Sequence, residues 1–199
     1  EVIVHEDAGG QYLVMNVSPS DVTVIIDNQF AKVENGGVTK FLNYGMHSYK
    51  VEHPMYEPKS GTFEIGNEKV NLDIVLSPIF GYIHVSSTPE SGADVYIDGE
   101  KVGSTPFKTS ALKEGEHSLR LIKEMYEMHD QSVQVERNKT INLDVEMKPT
   151  YGNVTISCAN AAADLVLNGK ELAKGTWTGR LDQGRYQVEA KLPNHRTVS

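Results

Sequence analysis

The sequence is short of the residue types that carry much of protein chemistry. It has a single cysteine, Cys158, in 199 residues, so no intrachain disulfide can form. A thiol nucleophile would need a histidine and an orienting amide close by, and nothing local supplies them. Cys158 instead continues the alternation of Val154 and Ile156 and reads as a small apolar strand residue. No run approaches the ~20 apolar residues a membrane helix requires. The opening residues carry no charged-then-apolar signal, so any secretion signal is expected to have been removed or to lie outside this stretch. Bases are outnumbered, 19 Lys and Arg against 27 Asp and Glu, which argues against nucleic acid or an anionic membrane as partner, since both select clustered positive charge. Gly-x-Ser-x-Gly, phosphate-loop and dinucleotide patterns are missing, as is any helical stripe of three turns.

What is present is β patterning, repeated. A hydrophobic fraction of 39% with 23% charged residues places the chain among folded rather than disordered proteins. The run Asn71 to Gly81, NLDIVLSPIFG, returns at Asn142 to Gly152 as NLDVEMKPTYG, and Met-Tyr-Glu occurs at 55–57 and again at 125–127. Asp27-Asn28, Asp98-Gly99 and Asn168-Gly169 occupy one turn in three copies, and Gly45, Gly115 and Gly184 each stand where a further strand is predicted to open. Period-2 alternation puts Val24 and Ile26, Val95 and Ile97, and Leu165 and Leu167 on dry faces. Tyr49/Val51, Leu119/Leu121 and Val188/Ala190 follow as inward pairs. Late strands are predicted around Phe63/Ile65 and Val70–Leu76, and around Val133/Val135 and Ile141–Met147, with Gly, Asn, Asp and Pro breakers at hairpin spacing. One dry face per sheet demands a covering sheet. The expected fold is all-β: three tandem small β-sandwich modules at 10–79, 80–150 and 151–199, preceded at 1–9 by a strand or linker, or by the end of a preceding module.

The stretch Pro89 to Lys108, PESGADVYIDGEKVGSTPFK, carries a family resemblance. With Gly81, Pro89, Gly92-Ala93, Val95-Tyr96-Ile97-Asp98-Gly99, Val102-Gly103, Thr105-Pro106, Gly115, His117 and Tyr126, residues 80–150 resemble the PEGA domain; Ser91 is a one-residue departure that splits its Pro-Glu-Gly-Ala signature. Modules one and three resemble it more weakly: Glu34-Asn35-Gly36-Gly37 stands where Thr-Pro would be in one, and Gly175-Thr176-Trp177 overlies Thr105-Pro106-Phe107 in the other. The resemblance implies a prealbumin-like or immunoglobulin-like sandwich of bacterial surface and periplasmic proteins, often in tandem. It implies no activity, and its motif residues are turn and core residues, so none carries over as a site.

The functional expectation is correspondingly plain. The seven histidines show no metal-ligand spacing, and His47 and His117 share a module position that Tyr186 fills in the third copy, which favours a packing role. No catalytic residue, metal or cofactor is assigned. Trp177, in a predicted loop, reads as a plug at the end of the sandwich or as an exposed stacking surface, and Tyr44, Tyr96 and Tyr151 are further candidates for a ligand surface. The reading is a non-catalytic extracellular, cell-surface or periplasmic segment acting as spacer, scaffold or adhesive module, with another protein or a cell-surface polysaccharide as partner. Its alternatives are a carbohydrate- or peptidoglycan-binding module and an accessory region of a larger enzyme. Modules of about 70 residues are marginal alone and lean on neighbours. The short joints Pro78–Gly81 and Pro149–Gly152 predict a semi-rigid rod.

Aligned on Gly115 and Gly184, module three stops short of the Val133/Val135 and Ile141–Met147 strands. Leu165, Leu167 and Val188 are therefore expected to be partly exposed. Three completions are open: further chain after Ser199, a module with fewer strands, or a neighbour's Val2–Val4 strand added head to tail.

Overall fold

The computed structural model describes residues 9–193, and the expected N-terminal strand at Val2–Val4 lies outside them. The described residues form strands and turns with no helix. From the first stretch of chain, β1 (Gly10–Ser18), β4 (Gly37–Asn43) and β7 (Val70–Val75) make a sheet of order β4-β1-β7. The strands β2 (Thr23–Ile26), β3 (Gln29–Ala31), β5 (Gly45–His53) and β6 (Tyr56–Ile65) make a second, β3-β2-β5-β6. The next stretch contributes β8 (Phe80–Thr88), β9 (Asp94–Ile97), β10 (Glu100–Ser104), β11 (Phe107–Lys108), β12 (Leu112–Lys113), β13 (Gly115–Ile122), β14 (His129–Val135) and β15 (Thr140–Glu146). They pair as β10-β9-β13-β14 and as β11-β8-β12, with β15 also on β8. Finally β16 (Tyr151–Ser157) pairs with β19 (Thr176–Asp182), while β18 (Lys170–Lys174), β17 (Asp164–Leu167) and β20 (Val188–Lys191) form the order β18-β17-β20. By compactness the molecule divides into two units, one of residues up to 84 with 108–116 and 134–142, the other of 85–107, 117–133 and from 143 onward.

The repeated turn sets the register. Asp27 and Asn28 (φ 49° and 62°), Asp98 and Gly99 (50° and 86°) and Asn168 and Gly169 (50° and 83°) all take the left-handed conformation. A two-residue hairpin turn needs this at both central positions, and Asn, Asp and Gly adopt it at least cost. On the other edge of the strand that enters the turn the same partners face each other three times: Ile26↔Tyr49 and Val24↔Val51, Ile97↔Leu119 and Val95↔Leu121, Leu167↔Val188 and Leu165↔Ala190. In the first stretch these strands bury Val24, Ile26, Val51, Phe63 and Ile65 against Leu13, Met15, Val38 and Ile74 of the other sheet. There β7 runs parallel to β1, pairing Met15 with Leu72 and Val17 with Ile74.

The last stretch departs from expectation in three places. Gly184 does not open a strand; β20 starts only at Val188. In the first copy the segment from Gly45 pairs with Ile65, Glu64 and Phe63 of β6, and no such partner follows β20 among the described residues, so the early part of that strand has nothing to bond. Leu165 and Leu167 are buried rather than partly exposed, while Val188 is half-buried, because β17 is the central strand of its sheet, flanked by β18 and β20; Leu167 and Val188 share a hollow with Val154, Ile156 and Leu181 of the β16–β19 sheet. Trp177 is not in a loop: it sits in β19 opposite Ile156.

Leu119 and Leu121 are buried to 1% and 0% exposure, whereas Ile141 and Leu143 are half-buried. Truncating either Leu119 or Leu121 to Ala is predicted to cost about 2–4 kcal/mol, the range for a cavity in a small core. The same change at Ile141 or Leu143 costs less, and denaturant unfolding of the four variants checks the order.

Candidate functional site

Two aspartates at the repeated turn hold histidines that the sequence pattern left as packing residues. His47 Nδ1 lies 2.5 Å from Asp27 Oδ2, and its Nε2–H donates to the Asn43 carbonyl at 2.8 Å. The other carboxylate oxygen accepts the Ser48 amide at 2.9 Å, while the Asp27 amide donates to the Ser48 carbonyl at 3.1 Å. The second copy repeats this: His117 Nδ1 is 2.6 Å from Asp98 Oδ2, Ser118 N–H donates to Asp98 Oδ1 at 2.9 Å, and the Asp98 amide donates to the Ser118 carbonyl at 3.0 Å. In the third copy Asn168 replaces the acid and accepts the Gln187 amide at 2.9 Å. Tyr186 takes the histidine's place and turns away, its hydroxyl donating to the Asp182 carbonyl at 2.8 Å.

The clamp therefore switches as a pair, Asp with His or Asn with Tyr. That covariation between copies was the signal available in the sequence.

Electrostatics follow from the geometry. An imidazole with acceptors at both nitrogens is favoured as the imidazolium. The Asp27 hydrogen bond raises the His47 pKa; burial opposes it and the Asn43 carbonyl adds to it. Burial would raise the Asp27 carboxyl, but the Ser48 amide and the His47 ring outweigh it and hold it below the usual range. Asp98 is also lowered, by the His117 ring foremost. The arrangement lacks the logic of a nucleophile–base pair. Ser48 Oγ donates to the Asp27 carboxylate at 3.4 Å, and the nitrogen that would take a serine proton already faces the Asn43 carbonyl.

The PEGA-like motif residues are structural in the same sense. Thr105 is buried, its hydroxyl 2.6 Å from that of Ser87, and it accepts the Ala93 amide at 3.0 Å. Ser91, the one-residue departure, presents its carbonyl to Lys123 Nζ at 2.8 Å.

A second repeated device lies at each joint. The Glu57 amide donates to Ser77 O at 2.8 Å and Ile79 to Met55 O at 2.9 Å; Glu127 donates to Lys148 O at 2.8 Å and Thr150 to Met125 O at 2.9 Å. Beside these bonds Tyr56 meets Phe80 edge to face at 5.6 Å and 76°, and Tyr126 meets Tyr151 at 5.7 Å and 78°. Each joint also carries charge. Arg137 grips Glu114 through two nitrogens, at 2.7 and 2.6 Å, and reaches Glu57 at 2.9 Å. Arg180 pairs with Glu90 and lies 4.5 Å over the Tyr151 ring. The hydrogen bond to Tyr151 pushes the Tyr126 hydroxyl up to about 12. Solvent-exposed ion pairs contribute little, so the backbone bonds and the ring pairs fix the joint.

The four candidate ligand residues do not converge. Tyr151 is enclosed by Tyr126 and Arg180 at the second joint. Trp177 lies on the other face and at the other end of the β16–β19 sheet, its indole folded over Gly179, where a Cβ would come within 2.2 Å of the ring. Tyr96 stands on the outward face of β9, in register with Lys101 and Arg120. Tyr44 is 51% exposed and packs its ring over Gly9. It directly follows the strand that carries Phe41, which meets Tyr12 edge to face at 5.4 Å on an open sheet surface. Tyr12 and Phe41 are half-exposed rings that sequence reasoning passed over, because their strands were read only for inward positions. Among the described residues no three His, Cys, Asp or Glu side chains gather as a metal site.

The family model of the PEGA domain matches residues 80–151. No curated protein sequence is significantly similar to the chain. Among solved structures it is similar to the Bacillus anthracis TIE protein, with 15% identity and a TM-score of 0.38 over 94% of this chain and 47% of that one. The chain thus spans about half the length of that relative. It is also similar to GBS52, the minor pilin of Streptococcus agalactiae (12% identity, 70% of this chain and 96% of that one, TM-score 0.37). BcpA, the major pilin subunit of Bacillus cereus, is a third (13%, 92% and 87%, TM-score 0.30). No functional residue is taken from them.

The clamp predicts a pH window. A histidine whose pKa is raised on folding stabilises fully below about 6.5 and loses that contribution as pH rises through the raised value. The lowered carboxyls contribute above about 3.9 and lose it as pH falls through their folded values. The first clamp is therefore strongest between about pH 4 and pH 6.5. In an NMR titration His47 is expected to show a midpoint above the ordinary histidine value, and Asp27→Asn is expected to lower it.

Proposed function

We propose that residues 10–79, 80–150 and 151–199 are three β-sandwich modules in tandem. In this reading the chain is a non-catalytic spacer, scaffold or adhesive segment at a bacterial surface or in the periplasm. The observation that carries the reading is the joint built twice from the same parts: Met-Tyr-Glu bonded to the Pro-centred exit of its own module and a tyrosine ring set against the next module's first strand. A joint of this kind serves holding one module against the next, which is what a spacer requires. The match of residues 80–151 to the PEGA family supports the extracytoplasmic setting, and the acid-lined His47 offers no free base for catalysis. A second reading, binding of a cell-surface polysaccharide, is favoured by the exposed Tyr12, Phe41 and Tyr44 rings of the first module. A glycan array separates the two: retention that disappears in Tyr12→Ala and Phe41→Ala supports the second, and no retention supports the first.

The spacer reading makes its own prediction. In a Cys158→Ser background, spin labels at the exposed positions Lys69 and Lys139, before and after the first joint, should give a narrow distance distribution by pulsed EPR. Tyr56→Ala should broaden it. A broad distribution in the parent chain would contradict a fixed joint.

A further inference from the structure

The sequence holds three Asn-x-Ser/Thr triplets with no proline between: Asn16-Val17-Ser18, Asn138-Lys139-Thr140 and Asn153-Val154-Thr155. Such a triplet is the acceptor pattern for an N-linked glycan on exported proteins, and it belongs on an accessible surface loop. The structure separates the three. Asn16 lies within β1, paired on both edges by β4 and β7, and the nitrogen that would carry the sugar already donates to Asp73 Oδ1 at 2.7 Å. Asn153 lies in β16 opposite Arg180 of β19, and the hydroxyl of its triplet, on Thr155, is 3.1 Å from that of Thr178. Asn138 is different. It stands in the turn between β14 and β15 at a left-handed φ of 60°, and both it and Thr140 are exposed. The backbone of this turn packs on β8: the Asn138 amide donates to Phe80 O at 2.8 Å and the Tyr82 amide to Lys139 O at 2.9 Å. At Gly81 a Cβ would come within 2.2 Å of the Glu136 carbonyl. The neighbouring charges are engaged, Arg137 with Glu114 and Glu57, and Lys139 with Glu136. Among the described residues the side chains of Asn138 and Thr140 have no hydrogen-bond partner.

We propose that Asn138 is the acceptor of an N-linked oligosaccharide, transferred from a polyisoprenyl pyrophosphate carrier by an oligosaccharyltransferase; this rests on the extracytoplasmic setting proposed above. In the transfer the Asn138 side-chain nitrogen bonds to the anomeric carbon of the first sugar. The bond from that carbon to the pyrophosphate oxygen breaks, the lipid pyrophosphate leaves, and the amide proton passes to a base of the transferase. An acid stands two residues before the asparagine in this triplet alone: Glu136 here, against Val14 and Tyr151 in the other two. The ion pair of Glu136 with Lys139 is exposed on both sides and contributes little, which leaves the carboxylate available to a basic group of the transferase. The counterpart turn of the first copy, Gly66-Asn67-Glu68-Lys69, has no hydroxyl at the third position, so the site belongs to the second copy. A glycan on the exposed Asn138 lies beside Arg137 at the first joint and displaces no buried side chain.

The test expresses the full chain behind an added export signal in a bacterial host that carries such a transferase and a lipid-linked oligosaccharide of known mass. Cleavage after glutamate releases the peptide of residues 137–146 for mass spectrometry. That peptide is expected to gain the mass of one oligosaccharide, while the peptides holding Asn16 and Asn153 stay unmodified. Asn138→Gln and Thr140→Ala should each abolish the gain, Thr140→Ser should retain it, and Glu136→Gln should lower the modified fraction. An unchanged thermal midpoint of Thr140→Ala separates its loss of acceptor function from misfolding. Three results would overturn the proposal: no gain on the exported chain while a standard acceptor protein in the same cells is modified, a gain that survives Thr140→Ala, or modification of Asn16 or Asn153 as full as that of Asn138. The added signal imposes export, so each of these outcomes bears on the acceptor site alone. The extracytoplasmic reading is tested apart from it, by fractionating the native cells, and fails if the chain is recovered in the cytoplasm.

Discussion

A strand whose side chains alternate between apolar and polar has one face that is costly to leave wet, and a sheet of such strands is stable only when something covers that face. This requirement organises the whole chain. It explains why the sheets come in pairs, why the inward residues Val24, Val95 and Leu165 recur on the same hairpin strand, and why the hairpin must turn tightly enough to keep the two strands in register. The left-handed Asp27-Asn28, Asp98-Gly99 and Asn168-Gly169 turns do that. The clamp then ties each turn to the next strand through backbone and side-chain hydrogen bonds, Asp with His in two copies and Asn with a backbone amide in the third.

Small sheet pairs have little interior, so neighbouring pairs stabilise one another only if the chain between them is short and held. The two joints meet that need with the same backbone bonds and nearly the same ring geometry, although Phe80 stands in one and Tyr151 in the other. The hydroxyl added at Tyr151 brings a contact to Tyr126 that the first joint lacks. Asp27 and Asp98 are engaged at turns, and Glu57, Glu90 and Glu114 in ion pairs with Arg137 and Arg180.

Much of this was legible in the residues. Period-2 alternation and the Asp/Asn-Gly turn located the strands carrying Val95, Ile97, Leu119 and Leu121, and the recurrence of Asn71–Gly81 at Asn142–Gly152 marked the two stretches that bond to Met55-Tyr56-Glu57 and Met125-Tyr126-Glu127. The PEGA resemblance fell where the family model also matches. What escaped depends on contacts between distant residues. His47 and Asp27 lie 20 positions apart, and alternation says which face a ring occupies but not which acceptor awaits it. Trp177 was placed in a loop, with Gly175-Thr176-Trp177 laid over Thr105-Pro106-Phe107; Gly179 instead leaves room for the indole to lie along its own strand. The burial of Leu165 and Leu167 was missed because the count of strands was taken as the measure of cover. β17 is the central strand of its sheet, shielded on both edges by β18 and β20, so Leu165 and Leu167 are buried while Val154 and Ile156 are half-buried.

The central claim is that cover of the dry face sets the stability of each sheet pair, and native-state hydrogen exchange tests it most directly. The amides of β8, flanked on both edges, should exchange slowly. As a group, those of β16, flanked by β19 alone among the described residues, should exchange faster by at least about tenfold, reflecting a lower local opening free energy. Equal protection of β16 and β8 would contradict the claim and show that the third pair is held by something other than the cover its own strands provide.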